Sequence, residues 1–278
     1  MEPINYPQQF DLRGQVVIVT GAAGLLGREY IRALGQAGAH SIVADIDSEA
    51  ATRLAQAVES ETGTACLAIQ LDVTDPASVR RTVAAALERF GRLDGLVNNA
   101  ALDPKFDVEH AGQHSNAFED YPLELWNRGL AVNITGMFLC AQAVAPAMLA
   151  QRKGSIINVS SIYGLVGPDQ RLYQRDDPTQ PPQYKPVIYS VTKSAVLGLT
   201  RYLAAYYGNK GIRVNTLTPG GTFNNHEEEF THRYSSRTPL GRMGDKGDYC
   251  GALLYLLSDA SSYMTGANLV VDGGWTTW

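Results

Sequence analysis

The run QVVIVT, GAAGLLG, REYIRALGQAG joins a short β-branched stretch to a glycine turn and then to a segment with helical apolar period. Strand, turn and helix in that order commit the start of the chain to an α/β architecture. Gly21, Gly24 and Gly27 permit a tight turn and a close approach of backbone to a pyrophosphate, whose charge the helix N-terminus stabilises. The next apolar run, HSIVAD, ends in Asp45, 24 residues past Gly21, where a dinucleotide-binding unit places the acid that accepts from the ribose hydroxyls.

The alternation then continues without an internal linker. SEAATRLAQAVESETG and PASVRRTVAAALERFG read as helices, the second with Pro76 in its first turn; ACLAIQLDV and LDGLVNNA read as strands. Such repetition predicts a doubly wound parallel sheet of the Rossmann type, of about seven strands with helices on both faces, in a single domain over 1–278. Ligands of such sheets sit beyond the carboxyl ends of the strands. Asp72, placed to meet an adenine edge, and Asn98, placed to brace the loops, stand at two of these ends.

LELWNRGLAVNITGMFLCAQAVAPAMLAQRKG predicts a long helix, apolar nearly all round, with Asn133 in its middle. A buried amide left unsatisfied costs about 1–3 kcal/mol, so Asn133 either braces the core or holds something in the site. SIINVSS gives the next strand, ending at Ser161. IYSVTKSAVLGLTRYLAAYYG gives a helix on which Tyr189 and Lys193, at i and i+4, share one face. A cation within roughly 4–6 Å favours phenolate and would make Tyr189 a usable proton acceptor. Ser161 can offer its hydroxyl to the same reacting oxygen. GIRVNTLTPGG and ANLVVDGGW complete the strands, and a charged segment near 222–244 lies where it can cover the site.

At 278 residues and 45% hydrophobic content the chain can bury one large core. A net charge of −5 without basic runs points to a small molecule as partner, with no nucleic acid and no membrane. The opening MEPINYPQQFDLRG has no apolar leader core, and no apolar run approaches the roughly 20 residues that span a bilayer. Cys66, Cys140 and Cys250, three and widely spaced, fit free thiols in a reducing, cytoplasmic setting. His110 and His114 stand four apart, but Pro104 and Gly112 argue against a helix there, so no metal site is expected.

In order, TGAAGLLG, Asp45, LDV, VNNA, VNITG, NVSS, YSVTK, RVNTLTPGG and TGANLVVDGG resemble the motifs of the short-chain dehydrogenase/reductase family over nearly the full length. The resemblance implies an NAD-dependent oxidoreductase that interconverts a secondary alcohol and a ketone. Tyr189 would be the acid/base, Lys193 would hold the nicotinamide ribose, Ser161 would polarise the carbonyl, and Asn133 would steady a proton-relaying water. It also implies cofactor contacts from Leu25, Leu26, Ile46, Val73, Asn99, Ala100, Pro219, Gly220 and Thr222. A homotetramer is expected, because the helices Leu123–Ala150 and Ile188–Tyr207 are apolar over more than one face. Within the family, SSIYGLVGPDQRLY and YMTGANLVVDGGWTTW are similar to oxidoreductases of flagellin-modification and surface-sugar clusters in the legionaminic acid pathway.

The chain departs from the family in its GxxGxxG spacing, which is similar to sugar-nucleotide epimerases and dehydratases, in Ala101 after VNNA, and in the 28 residues between Ser161 and Tyr189. An epimerase, or a protein that senses NAD without turnover, are the alternatives. The insertions near 102–122 and 164–187 carry Asp103, Lys105, His110, His114, Asp169, Gln170, Arg171, Arg175, Asp176 and Gln183. These are expected to fold over the site mouth and to select a polar, sugar-derived substrate.

Overall fold

The computed structural model describes residues 5–103, 116–174 and 182–278. Seven strands form one parallel sheet: β1 (Val16–Thr20), β2 (His40–Asp45), β3 (Cys66–Gln70), β4 (Gly95–Asn98), β5 (Gly154–Val159), β6 (Ile212–Pro219) and β7 (Asn268–Val271), in the order β3-β2-β1-β4-β5-β6-β7. β1 pairs with β2 on one side and β4 on the other. The chain therefore winds outward from β1 in one direction and restarts in the other, which opens a crevice at the carboxyl ends of β1 and β4.

The sheet is covered on both faces. α1 (Gly27–Gln36), α2 (Ser48–Thr62) and α8 (Cys250–Leu257) bury Tyr30, Ile31, Leu34, Val58 and Leu256 against one face. α3 (Pro76–Phe90), α5 (Gly136–Gln151) and α6 (Val187–Tyr207) bury Val79, Val144, Met148 and Leu203 against the other. Local chemistry sets the helix starts. Asp47 accepts from the Ala50 N–H at the head of α2, and Asp75 from Ala77 and Ser78 at the head of α3, each satisfying orphan donors. A third apolar cluster, with Tyr163, Tyr234, Met243 and Trp275, lies beyond the strand ends and outside the two sheet cores.

The long helix is interrupted. Between α4 (Leu123–Leu130) and α5 the five residues Ala131–Thr135 adopt a π-helical turn with Asn133 at its centre. Leu123–Gln151 is, by length and composition alone, apolar enough to cross a bilayer, contrary to the sequence expectation. Its apolar character has a local use, since Met137, Cys140, Ala141, Val144 and Met148 are buried in the fold. The three cysteines are free; Cys140 is buried, and burial pushes its thiol up to about 12, while half-buried Cys66 and Cys250 are pushed up to about 11.

Candidate active site

A cavity of about 770 Å³ runs along the carboxyl ends of the strands. At one end lies the glycine turn. Gly21 has φ +61°, a left-handed conformation, and a Cβ there would stand 2.8 Å from the Ala100 Cα. Asn99 ties this turn to β4: its Nδ2 donates to the carbonyls of Thr20 and Gly21 at 3.1 and 3.0 Å. A Cβ on Gly27 would fall on the Gly21 carbonyl oxygen, so the turn closes only with glycine at both positions. The Asp45 carboxylate accepts from the Ala23 N–H at 2.8 Å and from the Asp47 N–H at 3.1 Å. Arg28 turns back to the Ala23 carbonyl and is absent from the cavity wall. Asp72 is held by Thr74, whose N–H and hydroxyl both donate to its Oδ1.

The wall contains Gly21, Gly24, Leu25, Leu26, Asp45, Ile46, Asp72, Val73, Asn99, Ala100, Pro219, Gly220 and Thr222 from the sequence set, and also Ser161, Tyr189 and Lys193. Gly27 and Asn133 stay outside it. Gly27 serves backbone packing. Asn133, 2% exposed, is fully committed to protein partners: its Oδ1 accepts from the Leu102 N–H at 2.7 Å, and its Nδ2 donates to the Leu102 carbonyl and the Thr192 hydroxyl. Of its two expected uses, this side chain shows the bracing one. Asn98 likewise braces, donating to Asn158, which donates to Thr200.

Around the reacting end, Ser161 ends the extension of β5 and caps a single 3-10 turn, its Oγ accepting from the Tyr163 N–H. Lys193 is buried, and its ammonium donates to the Val159 carbonyl at 2.9 Å while lying 5.7 Å from the Tyr189 ring centroid. Burial lowers the Lys193 amine to about 8. The Tyr189 phenol is raised well above its ordinary value, chiefly by burial, with the charge of Asp103 adding; the Ser161 hydroxyl pulls the other way. This corrects the sequence expectation for Tyr189. Desolvation of the buried phenol is the largest effect on Tyr189.

The described part of the second insertion differs from expectation. Asp169 is taken by Arg171 and Arg237, Gln170 accepts from the Lys185 N–H, and Arg171 is exposed; none of the three lines the cavity, and neither does Gln183. Asp103 does line it. Lys105, His110, His114, Arg175 and Asp176 lie outside the described residues. Asp169, Gln170 and Arg171 of the second insertion are instead structural. With α7 (Glu228–Ser235), where Arg233 donates to the Gln174 carbonyl at 2.8 Å, they fasten the insertion to the 222–244 segment.

What faces inward was not singled out in the sequence: Tyr163, Tyr173, Lys185, His226, Phe230, Tyr234 and Met243. The Tyr173 hydroxyl donates to that of Tyr163 at 2.9 Å, His226 stacks on Phe230, and Phe230 on Tyr234. The signal available was Lys185 four residues before Tyr189, in KPVIYSVTK, just ahead of the helix that carries the tyrosine.

A model described as short chain dehydrogenase matches residues 15–173. The chain belongs to the short-chain dehydrogenase family. A second model, described as enoyl-(acyl carrier protein) reductase, matches 179–276. The chain is 34% identical to the 2,5-dichloro-2,5-cyclohexadiene-1,4-diol dehydrogenase LinX of Sphingobium indicum, over 95% of this chain and 97% of that one. It is 36% identical to the L-rhamnose 1-dehydrogenase (NAD(P)(+)) of Azotobacter vinelandii, over 94% and 96%. The crystal structure of a gluconate 5-dehydrogenase from Burkholderia cenocepacia in complex with NADP and tartrate superposes with a TM-score of 0.85 at 30% identity, covering 99% of this chain and 100% of that one. These relatives act on different ring alcohols and sugars, and the flagellin-modification likeness is not among their descriptions.

Family membership carries with it a nicotinamide cofactor. The residues present fit one: at Gly21 and Gly27 the close approach of main chains excludes a side chain, and beside them the cavity extends past Asp45.

Proposed function

We propose that this protein is an NAD(H)-dependent oxidoreductase that interconverts a secondary alcohol and a ketone on a polar, ring-sized substrate. The observation that carries the reading is the convergence of Ser161, Tyr189 and Lys193 on one cavity whose other end is the glycine turn and Asp45. The bound nicotinamide supplies the hydride acceptor or donor. Tyr189 moves the proton at its phenolic oxygen, giving it to a ketone or, as phenolate, taking it from an alcohol. Ser161 directs its hydroxyl at the same substrate oxygen. Lys193, fixed by Val159, keeps its amine beside the Tyr189 ring, where it would hold a nicotinamide ribose. A phenol raised by burial stays protonated at neutral pH, which suits ketone reduction there and alcohol oxidation at alkaline pH.

NAD is favoured over NADP because Asp45, at the end of β2, would accept from a ribose 2′-hydroxyl and repel a 2′-phosphate. Arg28 does not offset this, being directed at the Ala23 carbonyl. The aromatic side chains at the reacting end suit a ring, and the hydroxyls of Tyr163 and Tyr173 with the Lys185–Asp103 pair suit its oxygens. A role on legionaminic-type sugars narrows this further and is supported by the sequence motifs alone. Exposed Leu123, Phe138, Val191, Tyr202 and Tyr206 on α4, α5 and α6 support assembly into a homotetramer. The three free thiols suit the cytoplasm.

The test is absorbance at the NADH band with NAD or NADP and a panel of cyclic alcohols, sugars and apolar alcohols. NADH formed from ring alcohols bearing hydroxyls supports the reading. Turnover confined to apolar chains would sink its substrate half.

A further inference from the structure

Lys185 ends the second inserted segment and is only 7% exposed, although a lysine is seldom buried without a partner. Its Nζ donates to Asp103 Oδ2 at 2.5 Å, joining the second insertion to the start of the first, and both residues line the cavity. The ammonium also lies 4.0 Å from the centroid of the Tyr189 ring. The ion pair thus sits beside the ring of the tyrosine at which the proton moves.

The pair is electrically neutral, and it offers donors and acceptors side by side. An ammonium has three N–H donors and a carboxylate about four lone-pair sites, so neither group is exhausted by the other. A hydroxyl, both donor and acceptor, matches this surface. A carboxylate on the substrate would gain Lys185 but meet the charge of Asp103, and a bare ring carbon would offer nothing to either group. A site built to pair with a hydroxyl rejects analogues that lack it, because its own buried groups are then left short of partners. Tyr163 and Phe230 supply flat apolar faces nearby for the ring itself.

We propose that Lys185 and Asp103 are the specificity element of the site, holding a second hydroxyl of the substrate so that the preferred ring alcohols are diols or polyols with a hydroxyl close to the reacting carbon. This rests on the oxidoreductase reading above.

The experiment measures kcat and KM with NAD for cyclohexanol, cyclohexane-1,2-diol and 2-hydroxycyclohexanecarboxylate. The enzymes are the wild type, Lys185→Met, Lys185→Arg and the double variant Lys185→Met with Asp103→Asn, which leaves no unpaired buried charge should the single variant fold poorly. The expected wild-type order in kcat/KM is diol first, by tenfold or more over either rival. In Lys185→Met and in the double variant the diol-to-cyclohexanol ratio should fall at least tenfold, mainly through KM, with Lys185→Arg recovering part of it. An unchanged ratio overturns the proposal. So does an equal loss of kcat on all three compounds with a shifted pH profile, since Lys185 would then serve Tyr189 and not the substrate. NADH formed equally well from all three by the wild type overturns this inference alone; no NADH from any of them overturns the reading of function and this inference with it.

Discussion

At the glycine-turn end of the cavity the wall is shaped by close main-chain packing, with Gly21 against Ala100, the Asn99 amide on two carbonyls, and Asp45 tied to Ala23. At the substrate end it is large side chains brought from distant segments: Tyr163 and Tyr173 after β5, Lys185 before α6, and Phe230 and Tyr234 on α7. The first end is specified by residues at the carboxyl ends of the strands, because a strand, a turn and a helix start must meet there in any protein with this sheet. The second depends on which loops fold back over the sheet, and its residues are free to differ without disturbing the strands. The two ends should therefore fail separately.

The largest separation is expected from Tyr189→Phe. Turnover should fall by about 10²–10⁴-fold, the usual share of a general acid/base, while NADH binding by fluorescence titration stays near wild type. In the wild type, alcohol oxidation should rise with pH by up to about tenfold per unit below the raised Tyr189 value, because the base is its deprotonated form, whereas ketone reduction should stay flat between about pH 6 and 8. A rising limb complete by neutral pH would contradict the raised phenol.

At the other end, Gly21→Val places a β-branched side chain at positive φ and against Ala100, and should weaken NADH binding by about a hundredfold or more, given 1–3 kcal/mol of backbone strain plus the clash. Circular dichroism distinguishes this from global unfolding. Asp45→Ser removes a charged acceptor, worth about 1.5–3 kcal/mol, and should shift the NAD-to-NADP preference by about ten- to a hundredfold with kcat on NAD little altered. If the preference does not move, Asp45 does not set it.

The smallest effect belongs to the fastening between the insertion and the 222–244 segment. Arg237→Ala breaks the ion pair with Asp169, which is partly exposed and so worth about 0.2–1 kcal/mol. KM for the alcohol should rise by about two- to fivefold while the Kd for NADH is unchanged. A change in NADH affinity instead would mean that the two ends are coupled.

The same division explains what could be read from the sequence. The sheet was legible because each strand is an apolar run bounded by a turn, and one wall of the cavity because Gly21, Asp45, Asn99 and Pro219 sit at strand ends by necessity. The placement of Tyr189 and Lys193 together on one helix beside the cavity was legible from their spacing. The break in the long helix was not, since a π-helical turn centred on Asn133 follows from tertiary demand: the amide must reach Leu102 and Thr192 at once. Nor was the inward face of the second insertion. Its charged residues Asp169 and Arg171 looked like substrate ligands but pair with one another, Asp169 also with Arg237, and the tyrosines on either side of them, Tyr163 and Tyr173, turn in, as burial of their apolar rings favours.

The claim at the centre of this account is direct hydride transfer from a secondary carbinol carbon under the control of Tyr189. Supplying NAD with a cyclic diol deuterated at that carbon, and analysing the reduced cofactor by mass spectrometry, tests it. One deuterium should appear in each NADH formed, and Tyr189→Phe, with NAD still bound, should form almost none. NADH without deuterium, or equal NADH from Tyr189→Phe, would contradict it.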